Sequence, residues 1–339
     1  MHAQRHLFFL TQNYSYSILR PLQTAILARG GKVAWFLSGS ELNHDYLRED
    51  EQRIPNVEEA IKFAPDACYA PGDIIPYMLP GIKVSLFHGF NVAGKRNKFK
   101  VRGLFDLYCT QGPDTTEPFQ RLAKRHKNFR IVETGWPKLD PLFQQLSKNT
   151  PNEKPVILYA STFSERLSSA PHLVNKIKEL STNSDWQWLV TLHPKMKSEI
   201  VVAYKAIQHS NLRYIESDDL IPTLLKADVM LCDTSSIMYE FLLTQKPIVT
   251  YKNIVKNPYF LNTNNENELE QLISHALTRP KKLMQEIRIY SEIIHPYTDG
   301  KSSERVLDAV EWFIQDGYKG LKEKPLNLIR HYKIRKKLV

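Results

Sequence analysis

The chain has 339 residues, 42% of them hydrophobic, which is enough to bury a core in each of two ordinary domains. Its formal charge of +10 and pI near 9.3 point to an anionic partner: nucleic acid, acidic lipid or a phosphorylated substrate. No run approaches the length of a membrane span and the apolar stretch at 7–10 is too short for a signal peptide, so the protein is expected in the cytoplasm.

Apolar strands and amphipathic helices alternate from the start. Residues 7–10 read as a strand, 13–17 as a polar loop, and 18–29 as a helix with apolar positions at Ile18, Leu19, Leu22, Ala25 and Ile26, stopped by Gly30-Gly31. Residues 32–37 form the next strand, so a βαβ unit is complete and a parallel sheet follows. A helix over 57–63, a strand over 67–70, a helix over 74–79 and strands over 82–87, 105–110 and 129–133 come next, with a charged helix over 115–127. Turn residues at 134–140 and a linker at 148–155 end a first domain, 1–150.

A second alternation then begins. Strands are expected over 156–160, 187–192, 212–215, 229–232 and 248–251, separated by helices over 171–180, 197–208, 220–226 and 237–243. Helices over 266–277, 281–294 and 301–314 complete a domain at 151–317, leaving a basic tail at 318–339. The architecture expected is α/β: two doubly wound domains in tandem, facing a cleft, with ligands at the C-terminal ends of the strands. Cys68, Cys109 and Cys232 each sit in or beside a strand, without the spacing of a zinc or redox pair, and read as buried thiols.

Two basic clusters stand out. One, at 95–102, begins with Lys95 and Arg96, which are assigned to the acceptor or membrane side. The other is the tail, where Lys319, Lys322, Lys324, Arg330, Lys333 and Arg335 to Lys337 interleave with Leu321, Leu326, Leu328, Ile329, Tyr332, Ile334 and Leu338. This reads either as a basic amphipathic segment lying on an anionic membrane or as a solvated, frayed terminus. No nucleic-acid module accompanies the charge, so nucleic acid is not expected as a partner.

Conspicuous polar groups follow the strands. His88 ends 82–87, Ser161 and Thr162 end 156–160, His193 ends 187–192, Ser217 and Asp218 end 212–215, and Asp233, Thr234, Ser235 and Ser236 end 229–232. The last of these is a strand, a hydroxyl-rich turn and a helix start, an arrangement that suits phosphate oxygens. The plainer reading is that Asp233 or Ser235 caps the helix. No metal-ligand spacing is present, and no cofactor is expected.

In this order, His88-Gly89, the run Thr134-Gly135-Trp136-Pro137-Lys138-Leu139-Asp140, His193-Pro194, Ser217-Asp218, Ala227-Asp228 and Asp233-Thr234-Ser235-Ser236 with Glu240-Phe241 resemble the CDP-glycerol glycerophosphotransferases. Asp299-Gly300-Lys301-Ser302-Ser303-Glu304-Arg305 resembles that family's C-terminal signature. The resemblance covers roughly 82–313 and implies a GT-B fold of two Rossmann-like domains. It also implies transfer of a polyol phosphate from a CDP-linked donor, which is a substrate and no cofactor, to an acceptor hydroxyl with CMP leaving. The acceptor would be a polyol phosphate or a lipid-linked saccharide in teichoic-acid-like, capsule or lipopolysaccharide assembly, at the inner face of the plasma membrane. By position His88 matches the family's base, and His193 the second histidine, which would donate to the diphosphate. Ser161, Thr162 and Ser235-Ser236 would lie on the donor phosphates, Ser217-Asp218 near the nucleotide, and Arg305 on an anionic group.

The sequence also departs from the family pattern. Ala160-Ser161-Thr162-Phe163-Ser164 lacks the usual proline and arginine, Thr234 stands where tyrosine is common, and Phe90-Asn91-Val92 replaces a threonine-proline-lysine run. These departures leave the donor open among CDP-glycerol, CDP-ribitol, other CDP-polyols and nucleotide sugars. A GT-B glycosyltransferase, a nucleotide-sugar epimerase and a catalytically degenerate membrane-bound binding protein are the competing readings. The epimerase would need cleft carboxylates, for which only Asp233 and Glu240 offer themselves.

Overall fold

The computed structural model describes residues 4–40, 42–90, 99–148, 150–217, 219–336 and 338. In chain order its elements are β1 (Arg5–Leu10), α1 (Tyr14–Ala28), β2 (Lys32–Leu37), β3 (Arg53–Ile54), α2 (Val57–Phe63), β4 (Ala67–Ala70), β5 (Ile82–Ser85), β6 (Leu107–Thr110), α3 (Pro113–His126), β7 (Arg130–Glu133) and α4 (Asp140–Leu146). They continue with β8 (Val156–Ser161), α5 (Ala170–Asn183), β9 (Gln187–Leu192), α6 (Ser198–Ala206), β10 (Leu212–Tyr214), α7 (Ile221–Lys226), β11 (Val229–Cys232), α8 (Ile237–Leu242), β12 (Ile248–Tyr251) and β13 (Leu261–Thr263). Helices α9 (Leu269–Leu277), α10 (Lys281–Ile294), α11 (Ser302–Trp312) and α12 (Leu328–Lys336) complete the chain.

Contacts among the described residues divide the chain into two compact units, one of 4–90, 99–144 and 294–338, the other of 145–293. In the first unit all strands are parallel in the order β3-β2-β1-β4-β5-β6-β7. The central strands are covered on both faces, so they read as unbroken apolar runs, and Leu7, Phe8 and Leu10 of β1 are fully buried. Phe8 meets Trp35 of β2 edge-on at 5.0 Å and Tyr69 of β4 at 5.7 Å, which locks three neighbouring strands in register.

The C-terminal segment returns to this first unit at residue 294, earlier than the expected boundary at 317. The reason is a set of specific contacts. Asp140 accepts the backbone N–H groups of Ser302 and Ser303, each at 2.7 Å, and so satisfies the free N-terminus of α11. Arg29, just beyond α1, pairs with Glu304, Asp308 and Glu311 along one face of α11. Gly135, at φ +77°, has no room for a side chain, because a Cβ there would stand 2.5 Å from Ser302 Oγ and 2.9 Å from His295 Nε2.

The tail is neither frayed nor detached. Lys324 pairs with Asp106 at 2.6 Å, Asn327 and Arg330 donate to the Arg102 carbonyl at 3.0 and 2.6 Å, and Ile334 of α12 is buried in the apolar cluster of the first sheet. Two other expectations change. Residues 74–79 are not helical, because Pro76 and Pro80 each bias the preceding residue away from the helical region and leave too few positions for a turn. Helix α1 begins at Tyr14 instead of residue 18, its polar first turn burying Ser15 and Tyr16.

The second unit carries a parallel sheet in the order β10-β9-β8-β11-β12-β13. Leu158 pairs in register with Leu189 on one side and Met230 on the other. Tyr159, Ile177, Trp188 and Tyr204 are fully buried at its centre, and Lys246 turns inward to donate to the carbonyls of Leu225 and Ala227 at 2.5 and 2.6 Å. Each sheet reverses its strand order once, between β1 and β4 and between β8 and β11. In an open parallel sheet such a reversal opens a crevice at the strand C-termini, and both histidines singled out above follow strands near one.

Candidate functional site

In the second unit the site is built around the end of β11. Asp233 is fully buried and accepts four hydrogen bonds: from Ser161 Oγ at 2.5 Å, Thr162 N at 3.0 Å, and Ser169 N and Oγ at 2.8 and 2.9 Å. Burial pushes this carboxyl above its ordinary pKa, against the bonds from Ser161, Ser169 and Thr162, which pull it down. Asp233 therefore holds the loop from β8 to α5, and it is neither the cap of α8 nor a group facing a ligand. The cap position belongs to Ser236.

Thr234 is also spent within the protein. Its hydroxyl donates to Asn253 Oδ1 and accepts the Ile254 N–H, both at 3.3 Å. Ser161 is buried between Asp233 and Ser168. Of the hydroxyl cluster, half-buried Ser235, exposed Ser236 and half-buried Thr162 are the members left toward solvent. The turn thus divides into inward anchors at 233–234 and an outward surface at 235–236.

His193 leaves the end of β9 and is exposed. Its backbone N–H donates to the Ser161 carbonyl at 3.3 Å, which ties it to the end of β8. The ring packs on Phe163 with centroids 4.3 Å apart, and Nδ1 accepts the Lys195 N–H at 3.0 Å. An Nδ1 that accepts places the ring proton on Nε2, so the imidazole is presented as a hydrogen-bond donor. Ser217 is engaged locally: its hydroxyl and Asp219 close a turn into α7. Asp218 lies outside the described residues.

In the first unit His88 follows β5 and is exposed. Phe87 before it has φ +57°, in the left-handed region that a bulky residue enters at a cost of about 1–3 kcal/mol. Packing of Phe87 edge-on against Phe119 at 5.0 Å offsets that strain. The His88 ring meets the ring of Tyr14 at 5.4 Å and 31°. Burial, with Asp73 nearby, pushes the Tyr14 phenol up to about 12, so it stays protonated at neutral pH. A Cβ placed on Gly72 would lie 3.8 Å from Tyr14 Oη and 3.5 Å from Thr11 Oγ1, so the ends of β1 and β4 converge beside His88.

Arg305, expected on the donor side, belongs to α11 and the first unit. It pairs with Asp299 and lies over the Tyr297 ring at 4.0 Å. Those contacts lock the turn that precedes α11. Lys95 and Arg96 lie outside the described residues. Among the described residues no cluster of three His, Cys, Asp or Glu could hold a metal ion, and no helix is long and apolar enough to cross a membrane. The three cysteines are buried, and burial pushes each thiol up, which makes them inert.

The two histidines follow their strands as the sequence predicts, but the residues packed around them were not foreseen. Phe163, Ser169 and Asn253 in one unit, and Tyr14 and Phe87 in the other, act through contacts between segments distant in the chain. Only the position of Phe163 beside Ser161-Thr162 offered a local signal.

Comparison with known proteins places this geometry in context. A teichoic acid glycerol-phosphate primase of Bacillus subtilis (strain 168) is 24% identical over 233 residues, which cover 62% of this chain and 59% of the primase. A teichoic acid poly(ribitol-phosphate) polymerase of Bacillus spizizenii is 23% identical over 53% of this chain and 33% of its own length. The chain thus spans less than two thirds of these relatives. Among solved structures, the wall teichoic acid polymerase TagF superposes with a TM-score of 0.67 at 17% identity over 93% of this chain and 90% of that one. A UDP-GlcNAc 2-epimerase from Neisseria meningitidis superposes at 0.61 with 13% identity over 91% and 100%. These likenesses establish the GT-B fold of two parallel-sheet Rossmann-like units. The family model described as CDP-glycerol:poly(glycerophosphate) glycerophosphotransferase matches residues 91–312, well over half of the chain, and the protein belongs to that family.

Proposed function

We propose that the protein transfers a polyol phosphate, glycerol phosphate foremost, from a CDP-linked donor to an acceptor hydroxyl during assembly of a cell-surface polymer of the teichoic-acid type. The acceptor oxygen attacks the phosphorus that bears the polyol and forms a new P–O bond. The bond from that phosphorus to the bridging oxygen breaks, and CMP leaves with the electron pair. His88 takes the proton of the acceptor hydroxyl, and His193 donates from Nε2 to the diphosphate as charge builds on the leaving phosphate. Ser235, Ser236 and Thr162 offer further hydroxyl donors to the same phosphates.

The observation that carries this reading is the Nδ1 bond of His193 to the Lys195 N–H, which directs the ring proton to Nε2 at the end of β9, one strand from the reversal of the second sheet. The family match supports it, and the relatives named above are a primase and a polymerase of such polymers. The test is nucleotide release in the presence of CDP-glycerol, CDP-ribitol and UDP-sugars with a polyol-phosphate acceptor. CMP release from a CDP-polyol, reduced about 10²- to 10⁴-fold by His88→Ala with donor binding retained, is expected. Release of UDP alone makes the protein a glycosyltransferase of the same fold.

The same reading places the protein on the inner membrane surface. Leu326, Leu328, Ile329 and Tyr332 are 68–79% exposed, beside the cations Lys333, Arg335 and Lys336. A fixed apolar face ringed by lysine and arginine suits an anionic bilayer. Cosedimentation with phosphatidylglycerol vesicles, weakened by salt and by Leu328→Asp with Ile329→Asp, tests it.

A further inference from the structure

We infer that Tyr14 is a positioning residue for His88, its ring holding an imidazole that no hydrogen bond among the described residues orients. The inference rests on the base role proposed above for His88 and deepens it by naming what keeps that base in one orientation.

The backbone of His88 is fixed, and its side chain is not. Leu86 donates its N–H to the Ala70 carbonyl at 3.1 Å, so the chain stays tied to the end of β4 until two residues before His88. Phe87, at φ +57°, is wedged edge-on against Phe119 at 5.0 Å. Past that point an exposed imidazole without a hydrogen bond hops between rotamers on the fastest side-chain timescale. A general base has to keep its accepting nitrogen aimed at one proton, and a third group commonly supplies that aim. At His193 the Lys195 N–H and the Phe163 ring supply it. At His88 the group in that place is Tyr14, its ring centroid 5.4 Å away and its plane 31° from parallel.

Tyr14 is itself held still. Asn13 before it does not cap α1 with its side chain; its Oδ1 accepts the Asn43 N–H at 2.7 Å. Tyr16, fully buried, donates from Oη to the Asn43 carbonyl at 3.0 Å. Two bonds to one residue thus clamp the first turn of α1 to the segment after β2, and Ser17 Oγ donates to the Tyr14 carbonyl at 3.0 Å. Had α1 begun at residue 18, as its apolar spacing suggests, Tyr14 would lie in a loop without this support. The phenol oxygen is not what holds His88. Among the described residues Tyr14 Oη makes no hydrogen bond, and Asp73, whose charge bears on it, is paired with Arg102 at 2.7 Å. The ring is the part that meets the imidazole, and at a position 38% exposed the hydroxyl keeps its far end wet.

The test takes two readouts on the full chain with Tyr14→Phe and Tyr14→Ala. The first is the Cε1–Hε1 resonance of His88 in a proton–carbon correlation spectrum, assigned by its loss in His88→Gln and read at alkaline pH with the imidazole neutral. An aromatic neighbour displaces it, so it should stand apart from the free-histidine position in wild type and Tyr14→Phe and return to that position in Tyr14→Ala. The second is CMP release from CDP-glycerol with a polyol-phosphate acceptor. Tyr14→Ala should lower kcat about three- to tenfold, with donor KM and CDP affinity unchanged, and Tyr14→Phe should keep the wild-type rate. A resonance at the free-histidine position in wild type, or one unmoved in Tyr14→Ala, overturns the inference. An equal loss of kcat in Tyr14→Phe and Tyr14→Ala does so too, by assigning the effect to the hydroxyl. A merely structural part for Tyr14 would show as a lowered Tm with kcat preserved, which also overturns it. CMP release that survives His88→Ala ends the base role while the resonance still decides the ring contact, so the two readings fail separately.

Discussion

Asp233 Oδ2 lies 2.8 Å from the backbone nitrogen of Ser169, and that bond fastens the start of α5 to the end of β11. Together with the bond from Thr162 N to Oδ1 it pins both ends of the loop that carries Phe163, the ring on which His193 rests. The carboxyl accepts backbone N–H donors from two directions, Thr162 at Oδ1 and Ser169 at Oδ2. Asp233→Asn, of equal size, turns an NH₂ group toward either Thr162 or Ser169 and leaves a buried donor without a partner. The expected loss is about 1–3 kcal/mol in equilibrium urea unfolding, with a weaker affinity for CDP because the loop is no longer held. An unchanged unfolding midpoint would show that the loop is held by other contacts.

Phe163 is partly exposed, so its removal should cost little stability. Its role is to fix the plane of the His193 imidazole, whose Nδ1 accepts the Lys195 N–H. Phe163→Ala is expected to lower kcat for CMP release several-fold, with a smaller effect on donor KM, and Phe163→Tyr to restore it. A purely structural part for the ring would instead appear as a lowered Tm with kcat preserved.

Much of this was legible in the sequence because parallel strands covered on both faces announce themselves as short apolar runs. Strand β8, β9, β11 and β12 begin where the residues predict, and His88 and His193 follow their strands as expected. What stayed hidden depends on contacts over long separations. Asp233 reads as a cap because it precedes a helix, yet its partners at 161, 162 and 169 decide its role. Arg305 reads as a ligand-binding arginine, and its partners Asp299 and Tyr297 make it part of a turn. Two-residue β3 and three-residue β13 carry too little pattern to be seen at all. The tail composition suggested an amphipathic segment, but nothing local indicated that Ile334 would be buried against the first sheet.

Asp140, the last residue of the run at 134–140 that carries part of the family resemblance, has a structural task in this chain. It is buried, pushed above its ordinary pKa by that burial, and held by the N–H groups of Ser302 and Ser303. Asp140→Ala uncaps α11 and frees two backbone donors, which should lower stability by about 2 kcal/mol. Hydrogen exchange should localise the change, with faster exchange across the first turn of α11 and little change in β8 to β12. Uniform acceleration over both units would contradict a local latch.

Two buried histidines set how the protein responds to acid. His6 shares a 2.9 Å bond between Nδ1 and Tyr69 Oη, and His295 accepts the Trp136 N–H at Nε2 while stacking on Phe143 at 5.3 Å. Burial pushes each from 6.5 down to about 4, outweighing the upward pull of Asp66 on His6 and of the Tyr297 backbone on His295. Between those values the unfolded chain binds the proton and the folded chain does not, so stability rises with pH across the window. The contribution is complete above about pH 6.5 and is lost as pH falls through about 4. Each histidine can account for at most about 3 kcal/mol of that loss. Protonating His295 would also break its bond to Trp136, because Nε2 can no longer accept. Urea midpoints measured from pH 7.5 to 4.5 should therefore fall steeply below about pH 6. His295→Gln keeps an acceptor for the Trp136 N–H without a titrating group, so it should flatten the curve by about half. A slope identical to wild type in that variant would assign the acid sensitivity to other groups.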